Sequence, residues 1–153
     1  RINIDKKLST TPVSNINNND GTRIIVITEE TTCEKNFKKH APHVEIIKCP
    51  LKNKYIDLEY AVSLLYKSGI RSILIEAGGI LNNSFIQCNL ADNLIQFIAP
   101  KILSDNQGLS FAHGCKRNKI SECNNLIITS TKRLKNDIMI TGRFLKTEQQ
   151  KGK

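Results

Sequence analysis

Apolar and polar positions along this chain fall into short blocks whose period switches between two and 3.6 residues. TRIIVIT at 22–28, VEIIK at 44–48, SILIE at 72–76 and NLIQFIA at 93–99 are short, apolar and rich in β-branched residues, and each predicts a strand. RINI at 1–4 alternates weakly and predicts the end of another strand. Residues 126–134 and 137–145 predict two closing strands that turn at Lys135 and Asn136. Helical spacing is clearest at 57–68, where Leu58, Ala61, Val62, Leu64 and Leu65 share a face, Asp57 suits the N-cap and Gly69 the stop. Residues 80–88 predict a second helix with Leu81, Phe85 and Ile86 on one face, and 31–40 a short one capped by Thr32. Residues 10–21, which end in the turn signal Asn19-Asp20-Gly21, read as a loop, 51–55 as a linker and 100–123 as a long loop.

Strands and helices alternate up to residue 99, and two strands then follow each other. That order predicts an α/β fold: a mixed sheet, mostly parallel, with an antiparallel C-terminal hairpin, flanked by helices. No internal repeat is present. A chain of 153 residues fits one domain, and one of that size buries roughly 68–70% of its unfolded surface. Hydrophobic residues make up 39%, aromatics 5%, and Trp is absent, which suits a core of Ile, Leu and Val. No apolar run reaches the roughly 18–20 residues of a membrane span, and the first residues, RINIDKKLSTTP, hold no apolar signal region, so no membrane partner is expected. The chain opens on Arg1, so residues upstream are expected.

The net charge is +9, from 23 basic and 14 acidic residues. A basic balance can serve nucleic acid or an anionic ligand. Here the cations are spread along the chain, Asn and Ile are abundant beside Lys, and no groove-reading motif accompanies them. No nucleic-acid partner is expected, and a nucleic-acid-binding module stands as a distant alternative. The five cysteines, Cys33, Cys49, Cys88, Cys115 and Cys123, are odd in number and show no CxxC spacing. That argues against a disulfide framework and a zinc site, and fits a reducing cytoplasm. The HxE and PCxxC pair of zinc nucleobase deaminases is absent, so no deaminase chemistry is assigned to this chain.

Candidate chemistry concentrates at 71–103. Glu76 closes an apolar strand pattern, Gly78 and Gly79 allow a tight turn, and a helix pattern follows. A helix N-terminus behind a glycine turn presents unsatisfied N–H groups and a positive dipole end, which together suit phosphate. Glycine pairs also make plain turns, and the spacing is not GxGxxG, so no Rossmann fingerprint is present. Glu76 reads either as a strand-end surface residue or as a carboxylate aimed at ligand hydroxyls or amines. Asn82, Asn83 and Ser84 either bond phosphate or ribose or face water. Lys101, after a strand, is either solvated or near a phosphate. His40, His43 and His113 are scattered and receive no catalytic role, and no metal site is expected.

The stretch IEAGGILNNSFIQCNLADNLIQFIAPKIL resembles the C-terminal reductase domain of bacterial riboflavin-biosynthesis bifunctional deaminase-reductases. In that family a strand ends in V-E-G/A-G, a helix follows, and then a "gLvDEL…yiAPkllG" segment. The matching residues are Ile75, Glu76, Ala77, Gly78 and Gly79, then Leu90, Ala91, Asp92, Asn93 and Leu94, then Ile98, Ala99, Pro100, Lys101, Ile102 and Leu103. RINIDKKLSTTP is similar to the family's R-V-V-x-D-S-x-L-R-T-P, and GRFL to its final strand. The resemblance implies a dihydrofolate-reductase-like fold and an NADPH-dependent oxidoreductase. Its reaction would reduce 5-amino-6-(5-phosphoribosylamino)uracil, a pyrimidine ribose phosphate, to 5-amino-6-(5-phosphoribitylamino)uracil. Glu76 would then contact substrate, and Gly78, Gly79, Ile80, Leu81, Asn82, Asn83 and Ser84 would hold NADPH.

Two departures qualify the resemblance. The family's first strand, with its D-G motif, and its D-D-P-x-L-x-x-R segment are missing, so residues 1–146 read as a reductase domain lacking its N-terminal portion, with 147–153 a polar tail. A deaminase domain is expected upstream in the full-length chain, and homo-oligomers are compatible with the fold. The family's Asp-Ser pair reads Asp5-Lys6 here. Lys6 either pairs with a 2′-phosphate or is solvated. The alternatives are a related reductase with another substrate, and a truncated or degenerate domain that binds nucleotide or a partner without turnover.

Overall fold

The structure is a computed structural model that describes residues 1–11, 14, 19–105 and 107–146. The chain divides into two compact units, Arg1–Ile73 and Leu74–Lys153. The first unit holds strands β1 (Ile2–Ile4), β2 (Ile25–Glu29) and β3 (Glu45–Cys49), with helix α1 (Lys35–His40) between β2 and β3. A small hairpin, β4 (Leu51–Lys52) and β5 (Tyr55–Ile56), leads into helix α2 (Leu58–Lys67). The second unit holds helix α3 (Gly79–Gln87) and strands β6 (Asn93–Ile98), β7 (Leu126–Leu134) and β8 (Asp137–Phe144).

In the first unit β1, β2 and β3 form a parallel sheet in that order. The central strand β2 is apolar on both faces. Ile25 and Ile27 pack with Ala61 and Leu65 of α2, while Val26 and the preceding Ile24 pack with Phe37 of α1 and Ala41. A strand covered by helices on both sides needs apolar residues at every position, which is why TRIIVIT reads as a run and not as an alternation. Polar contacts mark its two ends. The Arg23 guanidinium reaches the Glu45 carboxylate at 2.9 Å, and the Thr28 hydroxyl donates to the Lys6 carbonyl at 2.8 Å.

Helix α2 has the caps its sequence suggests. The Asp57 carboxylate accepts the Tyr60 N–H at 3.1 Å, and Gly69 follows the helix at φ +94°, a left-handed turn that glycine enters without strain. Helix α1 is shorter than the predicted 31–40, and Thr32 does not cap it. Its hydroxyl donates instead to the Lys6 carbonyl at 3.1 Å, and Glu34 takes the cap position without a side-chain bond. The predicted linker 51–55 contains a hairpin whose turn places Asn53 and Lys54 at φ +53° and +70°. Asn and polar residues tolerate that region, and the two-residue strands are too short for a periodic signal.

In the second unit β8 lies between β6 and β7, antiparallel to both. The antiparallel part thus takes in β6 as well as the predicted hairpin. Register slips between Ile128 and Ser130, where the extra residue, Thr129, bonds the Thr141 carbonyl with its hydroxyl. Gly142 sits opposite Ile128, and a β-carbon there would lie 2.6 Å from Leu126 Cδ2. Residues 93–98 and 126–144 carry the strands that the apolar pattern predicts, whereas the predicted strand at 72–76 is not formed. Residues 71–78 have no regular secondary structure, because no described strand pairs with them. Leu74 stays 77% exposed. An apolar, β-branched run signals a strand only when a neighbour supplies the ladder. No helix among the described residues is long and apolar enough to cross a membrane. The predicted tail, 147–153, lies outside the described residues.

Candidate functional site

Helix α3 starts at the glycine pair, with Gly79 its first residue and extended backbone before it in place of the predicted tight turn. Gly78 is its N-cap at φ −71° and ψ 163°, no side chain caps the first N–H groups, and no acidic residue lies in the first turn. Space beside Gly78 is open, since a β-carbon there would meet nothing within 4 Å. Gly79 differs. A β-carbon on it would overlap the His113 imidazole and the Ser110 carbonyl oxygen. The His113 N–H donates to the Gly79 carbonyl at 3.1 Å, so part of the loop before β7 folds back onto the helix start. The sequence gives no hint of this contact, because His113 lies in a stretch without periodicity.

The polar side chains of the first turns are already engaged. Asn82 Nδ2 donates to the Ala77 carbonyl at 3.1 Å and to the Phe111 carbonyl at 2.9 Å. Asn83 Oδ1 accepts from Gln87 Nε2 at 3.3 Å, and the Ser84 hydroxyl donates to the Ile80 carbonyl at 2.9 Å. What α3 offers an anion is its backbone end: first-turn donors that no side chain caps, a positive dipole end and open space beside Gly78. Phosphate fits that surface, and a carboxylate within the first turn would have opposed it.

Glu76 lies two residues before the cap, exposed, and no hydrogen bond or ion pair joins it to another described residue. Its carboxylate is available to accept from a ligand hydroxyl or amine. Lys101 is exposed just beyond β6, with its N–H on the Ala99 carbonyl at 2.8 Å. A depression in the same unit is lined by Asp92, Asn93, Arg143, Phe144, Leu145 and Lys146, and none of the sequence candidates borders it.

In the first unit, the Asp5 carboxylate organises the loop after β1. It accepts from the Ser9 N–H and hydroxyl, both at 3.0 Å, and from the Thr10 N–H at 2.6 Å. Burial pushes its pKa up, but the bonds from Thr10 and Ser9 outweigh burial and hold it below the ordinary value. Lys6 is held by its own chain. Its ammonium donates to the Lys54 carbonyl at 2.7 Å and stands 3.7 Å from the Glu29 carboxylate.

Comparison with known proteins adds family to geometry. The family described as RibD C-terminal domain matches residues 1–140. The riboflavin biosynthesis protein RibD of Escherichia coli (strain K12) is 33% identical over 118 residues, which are 76% of this chain and 31% of that protein. The solved structure of Acinetobacter baumannii RibD superposes with a TM-score of 0.75 at 19% identity, over 95% of this chain and 37% of the other. The diaminohydroxyphosphoribosylaminopyrimidine deaminase/5-amino-6-(5-phosphoribosylamino)uracil reductase of Thermotoga maritima gives 0.73 at 23% identity, over 95% and 37%. The chain spans less than a third of the length of the curated relatives it matches.

Proposed function

The chain belongs to the RibD C-terminal domain family, with a dihydrofolate-reductase-like α/β fold, and on that footing we propose that it is the reductase portion of a riboflavin-biosynthesis enzyme. The reaction is reduction of 5-amino-6-(5-phosphoribosylamino)uracil to 5-amino-6-(5-phosphoribitylamino)uracil, with NADPH as the cofactor, in the cytoplasm. The partners are this small phosphorylated substrate and a deaminase domain elsewhere in the full-length protein; a homo-oligomer is compatible with the reading.

The observation that carries the reading is the uncapped start of α3 directly after Glu76, inside the segment that matches the family. The residues fit a nucleotide. Gly78 leaves the backbone open at the cap, and the N–H groups of the first turn, which no side chain caps, would hold the pyrophosphate. Glu76 accepts from substrate hydroxyls or amines. NADPH supplies hydride chemistry when bound, and the protein's part is to orient and to exclude water. The carboxylate and the helix end lie close in sequence, so one short segment would serve both ligands.

A second reading, a domain that binds nucleotide or a partner without turnover, is favoured by the unformed strand at 72–76 and its exposed Leu74. NADPH oxidation in the presence of the pyrimidine substrate decides between the two. The full-length protein containing this chain is expected to turn over with NADPH, and Glu76→Gln is expected to lose activity. Nucleotide binding without turnover in that full-length protein would select the second reading.

A further inference from the structure

We propose that Asn82 is a positioning residue, whose carboxamide clamps residues 110–113 onto the glycine turn and so shapes the nucleotide site without touching the nucleotide. The proposal rests on the nucleotide reading of the turn given above. An Asn amide has two N–H donors, and here both are used, on the carbonyls of Ala77 and Phe111. The reverse orientation would set Oδ1 against two carbonyl oxygens, so the contacts themselves fix which way the amide points. The remaining Oδ1 is an acceptor and offers nothing to a phosphate oxygen.

The two carbonyls that Asn82 joins are far apart along the chain. Ala77 is the last residue before the N-cap, and Phe111 lies 29 residues beyond Asn82. The same loop makes a second tie, from the His113 N–H to the Gly79 carbonyl, and packs the His113 imidazole and the Ser110 carbonyl against the bare Cα of Gly79. The Ser110 hydroxyl in turn donates to the Ala112 carbonyl at 2.8 Å, which tightens the loop itself. Turn, helix start and loop therefore form one bonded piece, and the Asn82 side chain is the part of it that reaches both the turn and the loop. Without the clamp the His113 N–H alone ties the loop to Gly79, and the wall of the phosphate site loosens with it.

The test uses Asn82→Ala and Asn82→Gln in the full-length protein. Hydrogen exchange at residues 110–114 is measured without nucleotide, and NADPH binding and kinetics are measured beside it. Loss of about one net hydrogen bond predicts about tenfold faster exchange in Asn82→Ala and about tenfold weaker NADPH. The KM for NADPH rises, while kcat and the substrate KM hold. Asn82→Gln, which keeps both donors, is expected to recover part of the loss. Unchanged exchange would overturn the clamp. Faster exchange with unchanged NADPH affinity would overturn the positioning role. Weaker NADPH with unchanged exchange would make Asn82 a direct ligand. A wild-type protein that binds no NADPH would instead overturn the nucleotide reading, and the exchange data would still decide the clamp.

Discussion

The imidazole of His113 occupies the space that any side chain on Gly79 would need. Gly79 is therefore required by the loop that rests on it. Gly79→Ala is expected to push residues 110–113 off the helix start, and Gly79→Val to do so further, at an overpacking cost of about 1–3 kcal/mol. NADPH affinity should fall in the order wild type, Ala, Val, read by calorimetric titration of the full-length protein. Equal affinities across the series would separate the turn from nucleotide binding.

Glu76 gives a sharper substrate test. A hydrogen bond to a charged group contributes about 1.5–3 kcal/mol. Glu76→Gln should lower kcat/KM for the pyrimidine substrate by one to two orders of magnitude, roughly the same energy expressed as a rate, and leave NADPH affinity unchanged. Its exposed position predicts little change in thermal stability, which makes a kinetic loss interpretable.

The loop after β1 should carry a pH signature. The Asp5 pKa is lower in the folded protein than its ordinary value of 3.8. Its contribution is therefore complete above the unfolded pKa and is lost as pH falls through the folded one. Asp5→Asn keeps an acceptor for Ser9 but can turn a donor toward the Thr10 N–H, at a cost of about 1–3 kcal/mol. Urea midpoints measured from neutral to acidic pH should show wild type above Asp5→Asn near pH 7 and the two curves converging below about pH 4. A constant gap at all pH values would show that the carboxylate's charge plays no part.

Thiol reactivity should divide the cysteines. Burial, with the carboxylates of Asp57 and Glu30 nearby, pushes the Cys49 thiol up to about 11. Cys33, Cys115 and Cys123 are exposed. A disulfide reagent at neutral pH should label those three and reach Cys49 only on unfolding, because the thiolate is the reactive form. Early labelling of Cys49, followed by peptide mapping, would show that the α2 side of the sheet opens readily.

Most of the fold is legible where apolar residues repeat over several positions. Asp57, the 58–67 helix and Gly69 appear as predicted because cap, face and stop agree locally. The strand at 72–76 fails for the opposite reason: Ile73, Leu74 and Ile75 have the right character, and pairing is a non-local property that character does not encode. At the candidate site the order of Glu76, Gly78, Gly79 and a helix is local, and α3 does start at Gly79, whereas the loop of His113 and the Phe111 carbonyl held by Asn82 depend on residues about thirty positions away. The sequence leaves Lys6 open between phosphate and water, and the structure gives its ammonium the Lys54 carbonyl and the Glu29 carboxylate.

Exposed Leu74, Ile102 and Leu109 in the second unit leave apolar surface that water does not favour. We expect residues 1–153 on their own to self-associate through that surface. Light scattering checks this, and a monodisperse monomer would show that these exposed side chains do not drive association.

Strand β2 also poses a question of alignment. Because Ile24 to Ile27 are apolar toward both helices, a shift by one residue would still bury oil on each side, so polarity cannot measure the strand's position. The ruler is at its ends. Arg23 finds Glu45 and Thr28 finds the Lys6 carbonyl only in the observed alignment, and a slip would leave both pairs broken. The interior supplies cohesion and the polar termini supply the address, so chemically modest contacts at the margins of the sheet decide where a greasy strand comes to rest.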